Sequence, residues 1–309
     1  LFLHLAAVVL TIRAADKPFR LSRWITVGLL WGLCAVAHGT ALIITPGVLL
    51  WLWLDSGSRT KRLNLIASGA VAIGCATMVS VVTIRNYVVG RDFVLLTSNV
   101  GMNLFQGNNP EATGTSFPHL LPYRGANLED LYNGFRRGPD DLAPSEISRL
   151  VGNEAWTFVR ENPLQALQLA MQKLRLLFNN LELPINDQYY FFTRYSPVLR
   201  WPLPTFGAIA AMGLIGATVC LKQWRKLLPI YLLILSQIAS YTATFVLSRY
   251  RLILAVGLIL FSAAWLGWCA AALRTRKYGR AAISVLACIG IAIWSYTPPG
   301  SFHKEDGFG

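Results

Sequence analysis

The chain has 309 residues, of which 54% are hydrophobic and only 14% charged, with mean hydropathy +0.46 and net charge +13. A soluble domain carries about 25% charged residues. A soluble globular protein is therefore excluded, and an all-α polytopic membrane protein is expected.

Apolar runs occupy residues 1–12, 24–38, 40–54, 63–84, 203–221, 227–247, 251–272 and 281–297. A full crossing needs about 20 apolar residues. The first run, LFLHLAAVVLTI, is too short for one and has no basic segment before it, unlike a signal peptide. We expect it to be the end of a truncated span in the C-terminal part of a longer protein. The total expected is about 7–8 transmembrane helices. The pair 24–38 and 40–54 is broken at His38-Gly39-Thr40, which reads as a tight helical hairpin or a bent pair. Trp24, Trp51, Trp53, Trp201, Trp224 and Trp294 stand near run ends, as interfacial Trp residues do. The expected parts are a bundle at 1–84, an external α-helical segment of about 115 residues at 85–201, a second bundle at 202–298 and a tail at 299–309.

The charge distribution sets the expected topology. Connections 13–23, 55–62, 222–226 and 273–280 hold 14 basic residues against only Asp16 and Asp55. The segment 85–201 holds 11 basic and 11 acidic residues. This is the positive-inside pattern, so the four basic connections are expected on the cytoplasmic side and the long segment on the other. Nearly all of the +13 is then a topology signal, and nucleic-acid binding is set aside.

The external segment opens on Thr97–Gly114, TSNVGMNLFQGNNPEATG. Gly and Asn allow positive φ, and Asn-Pro favours a turn. The stretch reads either as a loop presenting amides to a hydroxyl-rich ligand such as a sugar, or as a turn-rich connection whose Asn side chains bond their own backbone. A Pro/Gly-rich connection follows. A helical stripe of Ile147, Leu150, Val151, Trp156 and Val159 predicts a helix over about 145–160. Asn162 with Pro163 starts a second helix. Its Leu164, Leu167, Met171, Leu174 and Phe178 share one face, and Gln165, Gln168, Gln172 and Lys173 the other. Lying in the membrane interface and packing on the rest of the segment are both open for it. The aromatic stretch from Gln188 to Tyr195 is expected to lead the chain back to the bilayer.

Ionisable residues at the ends of spans are costly and so are functional candidates. They are Arg85 in Arg85-Asn86-Tyr87, the arginines of Ser248-Arg249-Tyr250-Arg251, and His38. Two arginines in a very short external hairpin run against the positive-inside pattern. A phosphate or pyrophosphate matches the fork of donors on each, while snorkelling to lipid headgroups is the plainer alternative. A structural hydrogen bond is the expected role of His38. The external carboxylates are Asp92, Glu111, Glu129, Asp130, Asp140, Asp141, Glu146, Glu154, Glu161, Glu182 and Asp187. Glu182, in NNLELP, is the least ordinary, since the chain there returns towards the membrane. No spacing marks a nucleophile or an acid–base pair. The five Cys all lie in apolar runs, and no zinc spacing is present. No cofactor or metal site is therefore expected, with a carboxylate-bound cation supplied by an upstream part left open.

The succession RNY, FVLLTSNVGMNLFQGNNPEATG, a helix ending RENP, LQALQLAMQKLRLLF and SRYRLIL resembles the bacterial glycosyltransferase family 39, or dolichyl-phosphate-mannose-protein mannosyltransferase-like, proteins of the GT-C superfamily. The resemblance covers roughly 25–270 and is most specific at NLFQGNNPEATG and SRYR. It implies an inner-membrane enzyme that moves a sugar from a polyprenyl-phosphate donor to a lipid, glycan or protein acceptor at the periplasmic face. It also implies substrate-binding roles for Asn103, Asn108 and Asn109, with Gly107 and Pro110 in the same loop, and for Arg249, Tyr250 and Arg251. The reading of span ends adds Arg85 as a phosphate contact. The catalytic carboxylate that the resemblance implies would lie upstream of Leu1. Two other readings stay open: an O-antigen ligase or polymerase-type enzyme using a lipid-pyrophosphate-linked glycan, and a transporter. Against the transporter, spans 63–84, 203–221, 227–247 and 281–297 carry no charge at mid-span.

Overall fold

A computed structural model describes residues 1–54, 60–115, 142–183, 189–198 and 204–298. Asp55, Arg59, Glu129, Asp130, Asp140, Asp141, Asp187, Gln188, Trp201 and the tail lie outside the described residues.

The helices are α1 (Phe2–Asp16), α2 (Leu21–Ala37), α3 (Ala41–Leu54), α4 (Lys61–Gly90), α5 (Val100–Gly107), α6 (Pro144–Glu161), α7 (Pro163–Phe178), α8 (Tyr189–Tyr195), α9 (Phe206–Val219), α10 (Trp224–Ala243), α11 (Arg251–Arg274) and α12 (Tyr278–Tyr296). Short 3-10 turns cover Cys220–Gln223 and Ser248–Tyr250. Among the described residues the extended backbone makes only one isolated bridge, parallel, between Thr115 and Val246. Among the described residues four helical runs are long and apolar enough to cross a membrane: Lys61–Gly90, Phe206–Ala243, Ser248–Arg274 and Tyr278–Tyr296. Leu21–Ala37 and Ala41–Leu54 are apolar but shorter. The chain is an all-α membrane protein.

Three boundaries differ from the sequence expectation. The fourth apolar run does not stop at 84; α4 continues to Gly90 and ends where Arg91 takes the left-handed conformation, φ 52°. The basic connection 222–226 is not a loop. With no Gly or Pro between Cys220 and Leu228, the backbone stays helical: Lys222 lies in the 3-10 turn Cys220–Gln223, and Arg225 and Lys226 in the first turn of α10. The run expected to reach 247 ends as helix at Ala243; Phe245, Val246 and Leu247 are extended and buried.

The chain divides into two compact units, which do not follow the linear division expected from hydropathy. The first comprises Leu1–Asn99, Ala143–Ser145 and Cys220–Ser240. In it α2 and α4 pack closely because small residues face each other. A Cβ on Gly28 would meet the Val71 carbonyl oxygen at 2.4 Å, and one on Gly74 the Ile25 oxygen at 2.7 Å. Glycine lets membrane helices touch backbone to backbone, where dispersion is the main attraction. Trp24 and Trp51 are buried here rather than at an interface. The Trp51 indole N–H finds the Arg225 carbonyl at 2.6 Å, so its burial leaves no donor unmet. At the break between α2 and α3, His38 Nδ1 lies 2.7 Å from Thr40 Oγ1, and Thr40 in turn meets the buried Gln237. This fits the expected structural hydrogen bond of His38.

The second unit comprises Val100–Leu142, Glu146–Val219 and Tyr241–Gly309. Its apolar helices α9, α11 and α12 pack together around Ala211, Trp265 and Cys288. A separate small core joins α5 to α6 through Phe105, Ile147, Val151 and Ala155. The helical stripe read at 145–160 supplies two of those four, Ile147 and Val151; Ala155 lies outside it, and its Leu150 and Trp156 are exposed.

Candidate functional site

The polar residues of the second unit gather on α7. Leu164, Leu167 and Met171 are exposed by 69%, 59% and 59%. The opposite side, Leu169, Lys173, Leu176 and Leu177, is buried, and Lys173 fully so. Lys173 follows Leu164 by nine residues, half a revolution away at 3.6 residues per turn. The helix thus buries one apolar stripe with a lysine in it and leaves a second apolar stripe outside. The polar side read in the sequence splits: Gln165 and Gln168 are exposed, Gln172 is half-buried and only Lys173 is buried, while Phe178, grouped with Leu164 and Met171, is buried with Leu177. Gln165 donates to the Pro110 carbonyl at 3.4 Å and Gln172 to the Thr113 carbonyl at 3.0 Å, so this face holds the Asn-rich stretch.

Lys173 ends in a small polar cluster. Its Nζ donates to Asn108 Oδ1 at 2.9 Å and to the Thr242 carbonyl at 3.2 Å. Burial disfavours the ammonium and pulls its pKa down to about 8. Asn108 serves three partners: besides accepting from Lys173, its Nδ2 donates to the Leu104 and Ala243 carbonyls, each at 2.7 Å. Asn109 is buried, donates to Phe105 O at 2.8 Å and accepts from the Glu111 N–H at 2.9 Å. Gly107 is required by close approach, since a Cβ there would lie 1.6 Å from the Thr244 oxygen. The Val246 N–H completes the seam by donating to Gly114 O at 2.9 Å. Of the two readings of this stretch, the hydrogen bonds at 108 and 109 fit the second: it forms a short helix, α5, and a turn whose Asn108 and Asn109 amides bond backbone groups. Asn103 is half-buried on α5.

That seam runs straight into the Ser-Arg-Tyr-Arg turn. Ser248 N–H donates to Leu183 O at 3.2 Å, and Leu183 N–H donates to Ser248 Oγ at 2.6 Å. Tyr250 stacks on the buried Tyr241, with centroids 5.5 Å apart and planes at 8°. Arg249 is exposed, with its guanidinium 5.1 Å from the Tyr250 ring centroid. Arg251 points the other way. It is buried, Nη1 donates to the Asn179 carbonyl at 2.7 Å, and the guanidinium lies 5.1 Å from the Phe206 centroid. Glu182 is half-buried beside Leu183, in the strip that pairs with Ser248. The turn is thus joined through Ser248 to Leu183, the residue after Glu182.

Arg85 belongs to the first unit. It is exposed near the end of α4, with Nη1 3.4 Å from Asn86 Oδ1, while Asn86 Nδ2 holds the Val94 and Leu96 carbonyls at 3.1 and 3.2 Å. Asp92 is a backbone anchor, accepting from the Ser145 N–H at 2.9 Å and from its hydroxyl at 2.5 Å.

Two features went unread in the sequence. Lys173 is a lone cation in the stripe Leu169, Leu176, Leu177, a pattern that marks a buried amine once that stripe is preferred to the Leu164 one. The pair Asn179-Asn180 is the other. Asn179 donates to Thr297 O at 2.8 Å, and Asn180 accepts from Gly207 N–H at 3.0 Å, tying the end of α7 to α12 and α9.

No known protein family, curated protein or solved structure matches the chain.

Proposed function

We propose that the chain is part of a membrane glycosyltransferase of GT-C type, moving a sugar from a polyprenyl-phosphate donor to a lipid, glycan or protein acceptor at the periplasmic face of a bacterial inner membrane. The observation that carries this reading is the turn 248–251. One of its arginines is locked inward, and the other, Arg249, is held outward on a backbone pinned at both N–H and C=O of Leu183. An exposed guanidinium on a rigid turn presents several N–H donors to phosphate oxygens and stabilises charge that develops on them as the sugar leaves. The outward stripe of Leu164, Leu167 and Met171 favours an apolar neighbour such as a prenyl chain or lipid tails. Asn103 is the amide of the three best suited to a sugar hydroxyl, because Asn108 and Asn109 are committed to backbone carbonyls.

The test is transfer from a radiolabelled prenyl-phosphate sugar by the full-length protein in membranes. Arg249→Ala is expected to lower transfer by at least about tenfold, the loss of one charge-assisted hydrogen bond, with unchanged expression. Near-normal transfer by that variant would remove the phosphate role from this turn.

A further inference from the structure

The basic residues at the junction of α1 and α2 line a half-open cavity. The cavity has a volume of about 220 Å³ and is lined by Arg13, Lys17, Arg23 and Thr26, with Leu10 and Val27 as apolar walls. The two helices are held together above it by Trp31, whose indole donates to Thr11 Oγ1 at 3.0 Å. A site for a drug-sized ligand occupies roughly 300–1,000 Å³; this one suits a single small headgroup.

Among the described residues no carboxylate pairs with these three cations. Asp16 is the only carboxylate between residues 1 and 54, and it pairs with Lys226 at 3.1 Å. Arg13 and Lys17 stand four residues apart at the C-terminal end of α1, where the helix dipole favours cations. Arg23 stands in the first turn of α2, where the dipole disfavours one, and its guanidinium is steadied by the Pro18 carbonyl at 3.0 Å. Three cations converging over apolar walls, one against its helix dipole, call for an anion with an apolar stem.

We propose that this cavity binds the phosphate of an anionic membrane lipid, with Arg13, Lys17 and Arg23 on the phosphate oxygens and the first acyl carbons against Leu10 and Val27, while the Thr26 hydroxyl, which donates to Ser22 O at 3.0 Å, forms part of the wall. Basic pockets between membrane helices bind lipid headgroups by this combination of charge and apolar contact. Inorganic phosphate offers the charge without the apolar stem, so the two sources are separable by experiment.

The experiment uses the full-length protein in phosphatidylcholine nanodiscs, with and without phosphatidylglycerol, and reads lipid retention by native mass spectrometry together with thermal stability. The wild type should retain phosphatidylglycerol and be stabilised by it, and inorganic phosphate in its place should do neither. Arg13→Gln, Lys17→Gln and Arg23→Gln should each weaken retention about fivefold. The exposed Lys17→Gln serves as the variant least disturbing to the fold. A charge-matched control, Arg274→Gln with Arg276→Gln and Lys277→Gln, should retain the lipid as the wild type does. Equal loss in the control, equal stabilisation by inorganic phosphate, or no preference for phosphatidylglycerol in the wild type would each overturn the proposal.

Discussion

Two polar stretches of the chain invite the same reading and behave differently. In Thr97–Gly114 the amides of Asn108 and Asn109 turn inward and meet backbone carbonyls of Leu104, Ala243 and Phe105. In Ser248–Arg251 the polar groups divide, with Arg251 bonded to Asn179 O and Arg249 exposed over Tyr250. The first stretch builds a seam and the second presents a group from it. Polar residue types at a membrane edge therefore do not identify a binding site; whether their donors are already engaged by the backbone does.

This contrast can be broken at several points. The largest effect on stability is expected from Gly107→Ala. Its Cβ would overlap the Thr244 oxygen, which is backbone and cannot swing aside. A loss of about 3 kcal/mol or more is expected, seen as lost folded yield on size-exclusion chromatography. If Gly107→Ala folds normally, the seam is looser than described.

Next comes the pH dependence set by Lys173. Its folded pKa is about 8, below the ordinary 10.5, so the unfolded chain binds the extra proton between those values. Stability should therefore rise as pH climbs from 8 to 10.5, by up to about 3 kcal/mol, and gain nothing from this group below pH 8. Other groups also titrate in that window, so the readout is the difference between wild type and Lys173→Met in detergent melts. A difference that stays flat across the window would mean that the amine is not desolvated.

A smaller effect is expected from Asn108→Ala, which leaves the Ala243 carbonyl and the Lys173 ammonium each one partner short. About 1–3 kcal/mol is expected from chemical denaturation. Asn103→Ala, on the same stretch, should change stability by no more than about 0.5 kcal/mol. Equal losses at the two positions would contradict the assignment of Asn108 to the seam.

The long apolar helices are legible in composition because about 20 apolar residues in a row have few other uses. The start of α7 is legible as well, since Asn162-Pro163 places a residue without an N–H where the helix needs none. The inward turn of α7 is not. Leu164-Leu167-Met171 and Leu169-Leu176-Leu177 are both apolar stripes, and only the reach of Lys173 to Asn108 and Thr242 chooses between them. Nor is the extended strip at 244–247, whose apolar residues continue the pattern of α10 while their backbone pairs with Gly114. At the turn 248–251, two arginines two residues apart look equivalent until the Asn179 carbonyl and Phe206 ring are found beside one of them.

That difference between Arg249 and Arg251 is tested most directly by placing Arg249→Ala and Arg251→Ala side by side in the full-length protein, with prenyl-phosphate affinity and melting temperature read on both. Arg249→Ala should weaken binding by about tenfold to a hundredfold and leave the melting temperature within ~2 °C. Arg251→Ala should lower stability by about 2–4 kcal/mol through the lost hydrogen bond and the vacated space over Phe206. The reverse pattern, or equal effects of both substitutions on both readouts, would contradict the account of one arginine that reads phosphate and one that holds the fold.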